Sequence, residues 1–368
     1  MWVMDRPCCE RDGVRGKMEE ARKNISLWWN RQYRGRPLIK ASMRKKRFAP
    51  DKRSMNRFWK TAGGKPDIEG FVKAQAESLR GTDFFAEAYP VLFHLWGARG
   101  TPMTMAAYLG GKVNFRENTV WIDPVIDDWD RFDIKFNRDN YWVEQSRKLM
   151  ESQAEEGGGD FFLMMPDLGD ALTVFSLLRG VEKLLVDIIE IPDTIREKTA
   201  DFVRAWKEAH TFFHSIYRKA LPGDCSWLLW APGKTYACQC DFSTMISPRM
   251  FEKFVVPEIR ETGKYLDYII WHLDGPEEIK HLDALLSLSE IKAFQIVSGT
   301  GKPPCASSLW VPLMQKIQKK GRLVYAYASD KEELATLADS LVHESLFIEC
   351  SGGVFTSGKE LESFFASS

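Results

Sequence analysis

The sequence predicts an α/β fold, namely a single (β/α)₈ barrel with an N-terminal extension and an inserted hairpin. Eight short apolar runs alternate with longer amphipathic stretches, and the last four such units recur about every 25 to 30 residues, which is typical of a strand and helix joined by short loops. The chain has 368 residues, of which 44% are hydrophobic. That is enough for one large core.

The predicted strands are short runs rich in large apolar and β-branched residues, bounded by turn-forming residues. They are residues 36–43, 83–93, 160–168, 236–242, 266–275, 291–299, 322–329 and 346–353. Helical periodicity between them, as in 247–266, predicts the helices that cover the strands. Residues 1–35 are predicted to form an N-terminal helical extension, and residues 36–368 the barrel.

Two further features bear on the architecture. Residues 110–132, GGKVNFRENTVWIDPVIDDWDRF, are predicted to form the inserted hairpin. The alternative fold is a doubly wound open sheet. It is disfavoured because no glycine-rich phosphate loop follows the first strand.

Composition limits the classes of partner. Lys plus Arg and Asp plus Glu both number 51, so no net field attracts nucleic acid or an anionic membrane. No apolar stretch reaches the length of about 18 residues that a membrane span needs. Seven scattered cysteines do not resemble a disulfide framework and favour a reducing cytoplasm. The sequence therefore predicts a cytoplasmic protein acting on a small molecule, and no feature indicates its oligomeric state.

The strand DYIIWHLDG, residues 267–275, ends in side chains that suit a metal site. His272 and Asp274 are separated by one residue, so they project to the same side of an extended strand. Cys240 and Cys350 end other predicted strands, and the carboxyl ends of barrel strands converge at one mouth. An imidazole, a carboxylate and thiolates suit zinc, with His272 and Asp274 also catalytic. The alternatives are a structural histidine, a helix cap at Asp274 and core cysteines.

Other candidates surround this predicted mouth. Lys234 and Tyr236, in APGKTY, are candidate catalytic residues that contact an anionic group or assist proton transfer. Asp167 is either a site carboxylate or a helix cap. Four tryptophans beside predicted strand ends are candidates for binding a planar or quaternary ammonium substrate, unless they fill the core: Trp96, Trp227, Trp230 and Trp271.

Four segments of the chain resemble the uroporphyrinogen decarboxylase superfamily. They are residues 166–195, 231–259, 265–304 and 348–364. The resemblance runs in order through most of residues 36–365 and implies a single (β/α)₈ barrel.

The resemblance also implies a branch of that superfamily. The decarboxylase pattern has a Met-Arg-Gln-Ala-Gly-Arg stretch after the first strand, which MRKKRF at 43–48 matches at few positions, and an aspartate that 88–98 lacks. The methyltransferase branch has a His-x-Cys at the strand ending HLDG and a further cysteine near the C-terminal strand. His272 and Cys350 match these positions, whereas Asp274 stands in place of a cysteine.

The methyltransferase branch implies zinc-assisted methyl transfer between a small molecule and a corrinoid, which is methylcobalamin either free or on a partner protein. Asp274 would make the zinc harder and favour oxygen-bearing groups over thiols. Two alternatives remain. One is a lyase or hydrolase that uses the same metal site without a corrinoid, and the other is a non-catalytic barrel that binds cobalamin or a tetrapyrrole.

Overall fold

The computed structural model describes residues 8–45, 66–94, 103–115 and 120–366. Its strands are β1 (Leu38–Arg44), β2 (Thr82–Ala86), β3 (Val91–Leu92), β4 (Lys112–Phe115), β5 (Val120–Asp123), β6 (Phe162–Leu163), β7 (Asp224–Ser226), β8 (Leu229–Ala231), β9 (Thr235–Cys238), β10 (Tyr268–Asp274), β11 (Ile291–Val297), β12 (Leu323–Ala328) and β13 (Leu346–Cys350).

The helices lie mainly between these strands. They are α1 (Cys8–Trp29), α2 (Ile68–Arg80), α3 (Thr104–Tyr108), α4 (Tyr141–Gly157), α5 (Ala171–Arg179), α6 (Val181–Glu190), α7 (Pro192–Ala220), α8 (Pro248–Phe254), α9 (Val256–Gly263), α10 (Leu282–Leu286), α11 (Val311–Lys319), α12 (Lys331–Ser340) and α13 (Gly358–Ala366). Short 3-10 helices occupy Trp129–Arg131, Asp241–Met245, Pro276–His281 and His343–Ser345.

The central feature is a seven-stranded sheet in the order β2-β1-β13-β12-β11-β10-β9. All neighbours in it are parallel except β1 and β2, which are antiparallel. The first strand pairs with the last, since Leu38 lies opposite Phe347. This pairing gives an α/β architecture compatible with a TIM-type barrel.

The closed eight-stranded ladder that the sequence predicts is not continuous among the described residues. β3 and β6 form a separate parallel pair. One backbone hydrogen bond, from Glu87 N to Ile39 O at 2.9 Å, links the segment before β3 to β1, and another, from Met165 N to Cys225 O at 2.8 Å, links the segment after β6 to β7. Pro90 and Pro166 flank the pair and have no N–H to extend the ladder.

Two antiparallel hairpins stand beside the main sheet. β4 and β5 form the hairpin that the sequence predicts within 110–132. β7 and β8 form a second hairpin, which the sequence analysis does not predict. Its two-residue turn consists of Trp227 and Leu228, which lie between the paired residues Ser226 and Leu229. We call this turn the hairpin tip.

Side-chain caps fix the start of helices that follow strands. Asp170 accepts a hydrogen bond from Thr173 N at 3.0 Å at the start of α5, and Asp330 accepts one from Glu333 N at 2.9 Å at the start of α12. Such caps satisfy N–H groups that have no partner within the helix. The helices therefore begin close to the strand ends and keep the intervening loops short.

Helix α1 occupies most of the predicted N-terminal extension and packs into the common core. Trp28 is fully buried, and its ring lies 5.6 Å from that of Phe347 on β13. Trp29 lies 5.2 Å from Tyr268 on β10. Phe347 and Tyr268 are near the amino ends of their strands, so α1 covers that side of the sheet. In the part of the chain that the structure describes, no helix is both long and apolar enough to cross a membrane.

Candidate active site

Five adjacent parallel strands each place polar side chains on the same face of the sheet. Glu349 lies opposite Lys40 and Tyr327, and Gln295 lies opposite His272 and Tyr325. These positions usually carry branched apolar residues in a barrel interior. We call this set the polar row: Lys40, His272, Gln295, Tyr325, Tyr327 and Glu349.

One half of the polar row is a buried ion pair. The Lys40 ammonium lies 3.4 Å from Glu349 Oε2 and is largely buried. The Tyr325 hydroxyl donates a hydrogen bond to the same carboxylate. A buried charge needs partners of this kind because removal from water is costly. The pair thus places two compensated charges inside the fold.

The other half of the polar row orients His272. Nδ1 of His272 lies 2.7 Å from Gln295 Oε1, and Gln295 Nε2 donates to the Tyr327 hydroxyl. With the amide oriented in this way, Nδ1 carries the proton and Nε2 carries the lone pair. Nε2 has no hydrogen-bond partner among the described residues. His272 therefore presents a basic nitrogen held at a fixed orientation.

The hairpin tip lies against His272 in a strained conformation. Trp227 has φ of 46° and Leu228 has φ of 68°. These values favour glycine, and other residues there cost about 1 to 3 kcal/mol each. The tip is held because Leu228 O accepts hydrogen bonds from Lys40 Nζ at 2.9 Å and from the Tyr89 hydroxyl at 2.8 Å. Consequently the Trp227 ring centre lies 4.3 Å from that of His272.

A cavity of about 160 Å³ adjoins the polar row. Its polar lining comes from Lys40, Ser42, Glu349 and Cys350, and Leu228 of the hairpin tip forms part of its wall. The remaining wall is largely apolar and aromatic and includes side chains from residues 79–93. Such a mixture of apolar walls and a few polar groups is typical of small-molecule sites.

Carboxylates extend the site around the carboxyl end of β10. Burial raises the pKa of Asp241, while His272 lowers it and Asp274 raises it, so the three side chains are close enough to interact. Asp274 is exposed at the end of β10, and its backbone N–H donates to Glu278 Oε2 at 3.3 Å. Burial, and then the negative charge of Asp241, raise the pKa of Glu278 to about 9.

Asp167 is a second carboxyl group whose pKa is raised. Burial raises the pKa of Asp167 to about 6, although it accepts hydrogen bonds from the Tyr236 hydroxyl at 3.1 Å and from Met103 N at 3.4 Å. The capping role that the sequence left open for Asp167 belongs to Asp170. Tyr236 is buried and also accepts a hydrogen bond from Gly169 N at 2.8 Å, so this predicted catalytic residue positions Asp167.

The structure does not bring the four predicted zinc ligands together. Cys240 is fully buried and hydrogen-bonds to Asp170, and burial raises the pKa of its thiol well above the usual value. Cys350 lines the cavity, where burial and the adjacent Glu349 raise its thiol pKa to about 12. Within residues 8–45, 66–94, 103–115 and 120–366, no three His, Cys, Asp and Glu side chains are grouped to hold a metal ion. The four predicted ligands therefore do not form a metal-binding group in this structure.

The predicted aromatic residues separate into different environments. Trp271 is adjacent to His272 in the strand and therefore points to the opposite face, where its ring lies 6.0 Å from Phe251. Trp230 is buried, and its Nε1 donates to Pro222 O at 2.9 Å. The Trp227 ring lies tilted against that of His272 at the hairpin tip. Trp96 lies outside the described residues.

The predicted catalytic residue Lys234 lies at the other end of the sheet. It precedes β9, which is parallel to β10, whereas His272 is near the carboxyl end of β10. Its ammonium group lies 4.3 Å from the ring centre of Tyr265. The structure thus places Lys234 away from His272.

Most of the polar row was not identified from the sequence. The signal is weak but present: single polar residues interrupt apolar strands, as in LIKAS, AFQIV and LFIEC, and tyrosines alternate in VYAYA. An isolated polar residue in a strand usually faces solvent. Only the parallel pairing of five strands shows that these residues face one another.

Comparisons with known proteins identify the fold. No family model matches the sequence, and no curated protein matches it. A solved methyltransferase from Methanosarcina mazei is similar over 95% of this chain and 98% of its own, with a TM-score of 0.56 and 10% identity. The chain has the fold of that methyltransferase. At 10% identity this likeness shows the fold alone.

A second solved structure is a B12-independent methionine synthase from Shewanella sp. W3-18-1 in complex with selenomethionine. It is similar over 89% of this chain and 93% of its own, with a TM-score of 0.47 and 11% identity. At that TM-score the likeness has no bearing on the function of this chain.

Proposed function

We propose that the protein is an enzyme that transfers a methyl group between a small molecule and a carrier, with the small molecule bound beside His272. The observation that carries this proposal is the polar row, in which an oriented histidine lies on the same face of the sheet as a buried ion pair that lines a cavity. The fold of this chain is shared with a protein described as a methyltransferase. In barrels of this type, functional residues gather at the carboxyl ends of the strands.

His272 supplies the proton chemistry of the proposed reaction. When the methyl group moves to an acceptor R–XH, the X–C bond forms and the bond between the methyl carbon and its carrier breaks. The electron pair of that bond stays on the carrier, and the proton of R–XH passes to His272 Nε2. In the reverse direction His272 returns the proton to the leaving atom. General acid–base catalysis of this kind contributes typically about 10² to 10⁴-fold.

The proposed carrier is a corrinoid, either free or on a partner protein. A cavity of about 160 Å³ accommodates a small substrate and not a corrin ring. A corrinoid would therefore meet the site from outside and bring only its methyl group to the substrate. The donor set described above does not support zinc assistance, so His272 acts in this proposal as a base rather than as a metal ligand.

A second candidate is a lyase or hydrolase reaction on a small molecule at the same site. The observation that favours it is Asp167, whose pKa of about 6 suits proton exchange near neutral pH. This reaction would use the same substrate site and His272 but would need no methyl carrier.

Spectroscopy with cobalamin tests the proposal. Methylcobalamin is mixed with the protein and a panel of thiols, phenols and amines, and methylated donors are mixed with reduced cobalamin. We expect one combination to change the cobalamin absorbance, and His272→Ala to reduce that rate by about 10² to 10⁴-fold. The fold should persist, because His272 lies near a strand end and its loss opens a small cavity.

His343→Ala is the matched control, since His343 is exposed and precedes the amino end of β13, whereas His272 lies near the carboxyl end of β10. It should leave the rate unchanged. Equal rates of the absorbance change in His272→Ala and the wild type would show that His272 takes no part in the reaction. If no acceptor or donor changes the spectrum, the lyase or hydrolase candidate replaces methyl transfer.

A further inference from the structure

The hairpin tip carries two unfavourable features at a single residue. Trp227 has a left-handed backbone conformation, with φ of 46°. Its indole nitrogen Nε1 is also buried and has no hydrogen-bond partner among the described residues. Either feature alone destabilises the folded chain. Both are retained at the residue whose ring lies against that of His272.

The surrounding contacts force this arrangement on Trp227. Lys40 and Tyr89 both donate hydrogen bonds to Leu228 O, and Tyr89 OH in turn accepts the N–H of Trp230 at 2.8 Å. These bonds fix the backbone on the C-terminal side of Trp227. In this arrangement the indole lies beside His272.

We propose that the Trp227 indole N–H is a specificity-determining donor that binds an oxygen atom of the substrate. A ligand oxygen at this point would remove the cost of the unpaired N–H while lying next to the reacting nitrogen of His272. This inference deepens the proposed function and rests on it only in taking His272 as the reacting group.

The charges at the site indicate which kind of oxygen is bound. Within the described ranges, Glu349 neutralises Lys40, and Asp241 interacts with both His272 and Asp274. The balance is negative, so an anionic substrate is repelled. The cavity reaches the hairpin tip at Leu228, and its walls, which include Phe84 and Phe93, favour an apolar body. The substrate class is a small, uncharged or cationic molecule with a neutral carbonyl, ether or hydroxyl oxygen.

Trp227→Phe tests the donor, because it removes the N–H and keeps an aromatic ring on His272. Trp230→Phe is the matched control, since Trp230 Nε1 already donates to Pro222 O at 2.9 Å. We expect Trp227→Phe to unfold at the same temperature as the wild type or higher, and Trp230→Phe to unfold at a lower temperature. The first change removes an unsatisfied donor, and the second breaks a hydrogen bond.

Binding is measured by calorimetry with benzamide as the probe, because it has an apolar ring and a neutral carbonyl oxygen. We expect benzamide to bind Trp227→Phe about tenfold more weakly than the wild type, which corresponds to one lost hydrogen bond. Benzoate, which has the same ring and a negative charge, should bind the wild type more weakly than benzamide does.

Two results would overturn the inference. One is a loss of stability in Trp227→Phe as large as that in Trp230→Phe, which would mean that the indole has a protein partner. The other is equal affinity of benzamide for Trp227→Phe and the wild type, including no binding to either. Neither the unfolding temperature nor the benzamide affinity depends on methyl transfer. The role of the Trp227 N–H can therefore be disproved while the proposed methyl transfer stands, and the reverse also holds.

Discussion

Gln295 determines which nitrogen of His272 faces the substrate, and we expect it to act as a positioning residue. Gln295→Met removes the acceptor for Nδ1 and should reduce turnover by about tenfold or more, since partners that orient a histidine commonly matter on this scale. Gln295→Glu keeps an acceptor and adds a negative charge, which should restore turnover and raise the pKa of His272. Turnover is measured from the cobalamin absorbance as a function of pH.

The same substitutions can be followed without activity. Proton NMR of the histidine rings, with His272→Ala to assign the signal, gives the His272 pKa directly. An unchanged His272 pKa in Gln295→Glu would show that the side chains are not in contact.

Glu278 should make the protein less stable as the pH rises. The folded state raises its pKa from 4.5 to about 9, so the folded chain holds this proton more tightly than the unfolded chain. The stabilisation is complete below about pH 4.5 and is lost as the pH rises towards about 9. Glu278→Gln mimics the neutral acid, so we expect it to exceed the wild type in stability at pH 8 and to match it near pH 4.

Chemical denaturation at a series of pH values measures this difference. Glu277→Gln is the control, because Glu277 is exposed and its pKa is lowered by Lys302 rather than raised. It should leave the slope of stability against pH nearly unchanged. Parallel curves for Glu278→Gln and the wild type would mean that Glu278 is ionised in the folded protein.

At the level of single residues, the sequence was informative where a polar side chain ended an apolar strand. His272 was found in this way, and the structure places it in the polar row. Lys40 and Gln295 lie within strands, and nothing local distinguishes a polar residue facing an interior cavity from one facing solvent. Cys240 was misleading because a buried thiol and a metal ligand have the same sequence signature.

Among the larger elements, helix α1 should contribute strongly to stability. Trp28 is fully buried against Phe347, so Trp28→Ala should lower the free energy of unfolding by about 3 to 5 kcal/mol. Trp121→Ala is the control, because Trp121 is 60% exposed, and it should change stability by less than about 0.5 kcal/mol. Denaturant titration measures both. Similar losses in the two variants would mean that α1 is not docked as described.

The elements themselves were largely predictable. Each of the eight predicted strands overlaps a strand of the structure, because β-branched and apolar runs bounded by turn residues identify buried parallel strands. The β7–β8 hairpin was not predictable, because two-residue turns usually contain glycine or asparagine and this one contains Trp227 and Leu228. The local sequence rule fails at the residue that contacts His272.

At the scale of the whole molecule, the zinc prediction lacks support because its four residues are not grouped. Within the described ranges, no three His, Cys, Asp and Glu side chains come together to hold a metal ion. We therefore expect elemental analysis to find the same zinc content in His272→Ala as in the wild type. A loss of one zinc per chain in the variant, with His343→Ala unchanged, would establish the metal site that the sequence predicts.

The pairing of β1 with β13 also constrains how the chain folds during synthesis. On one edge of β1, Leu38 and Ile39 pair with Phe347 and Ile348 of β13. Until the ribosome has released that last strand, β1 keeps an open edge, and Trp28 lacks the ring it packs against. Contacts so distant in sequence form late and leave apolar surface exposed meanwhile. A nascent chain stalled before residue 346 should therefore be a good client for chaperones, whereas the completed chain should not.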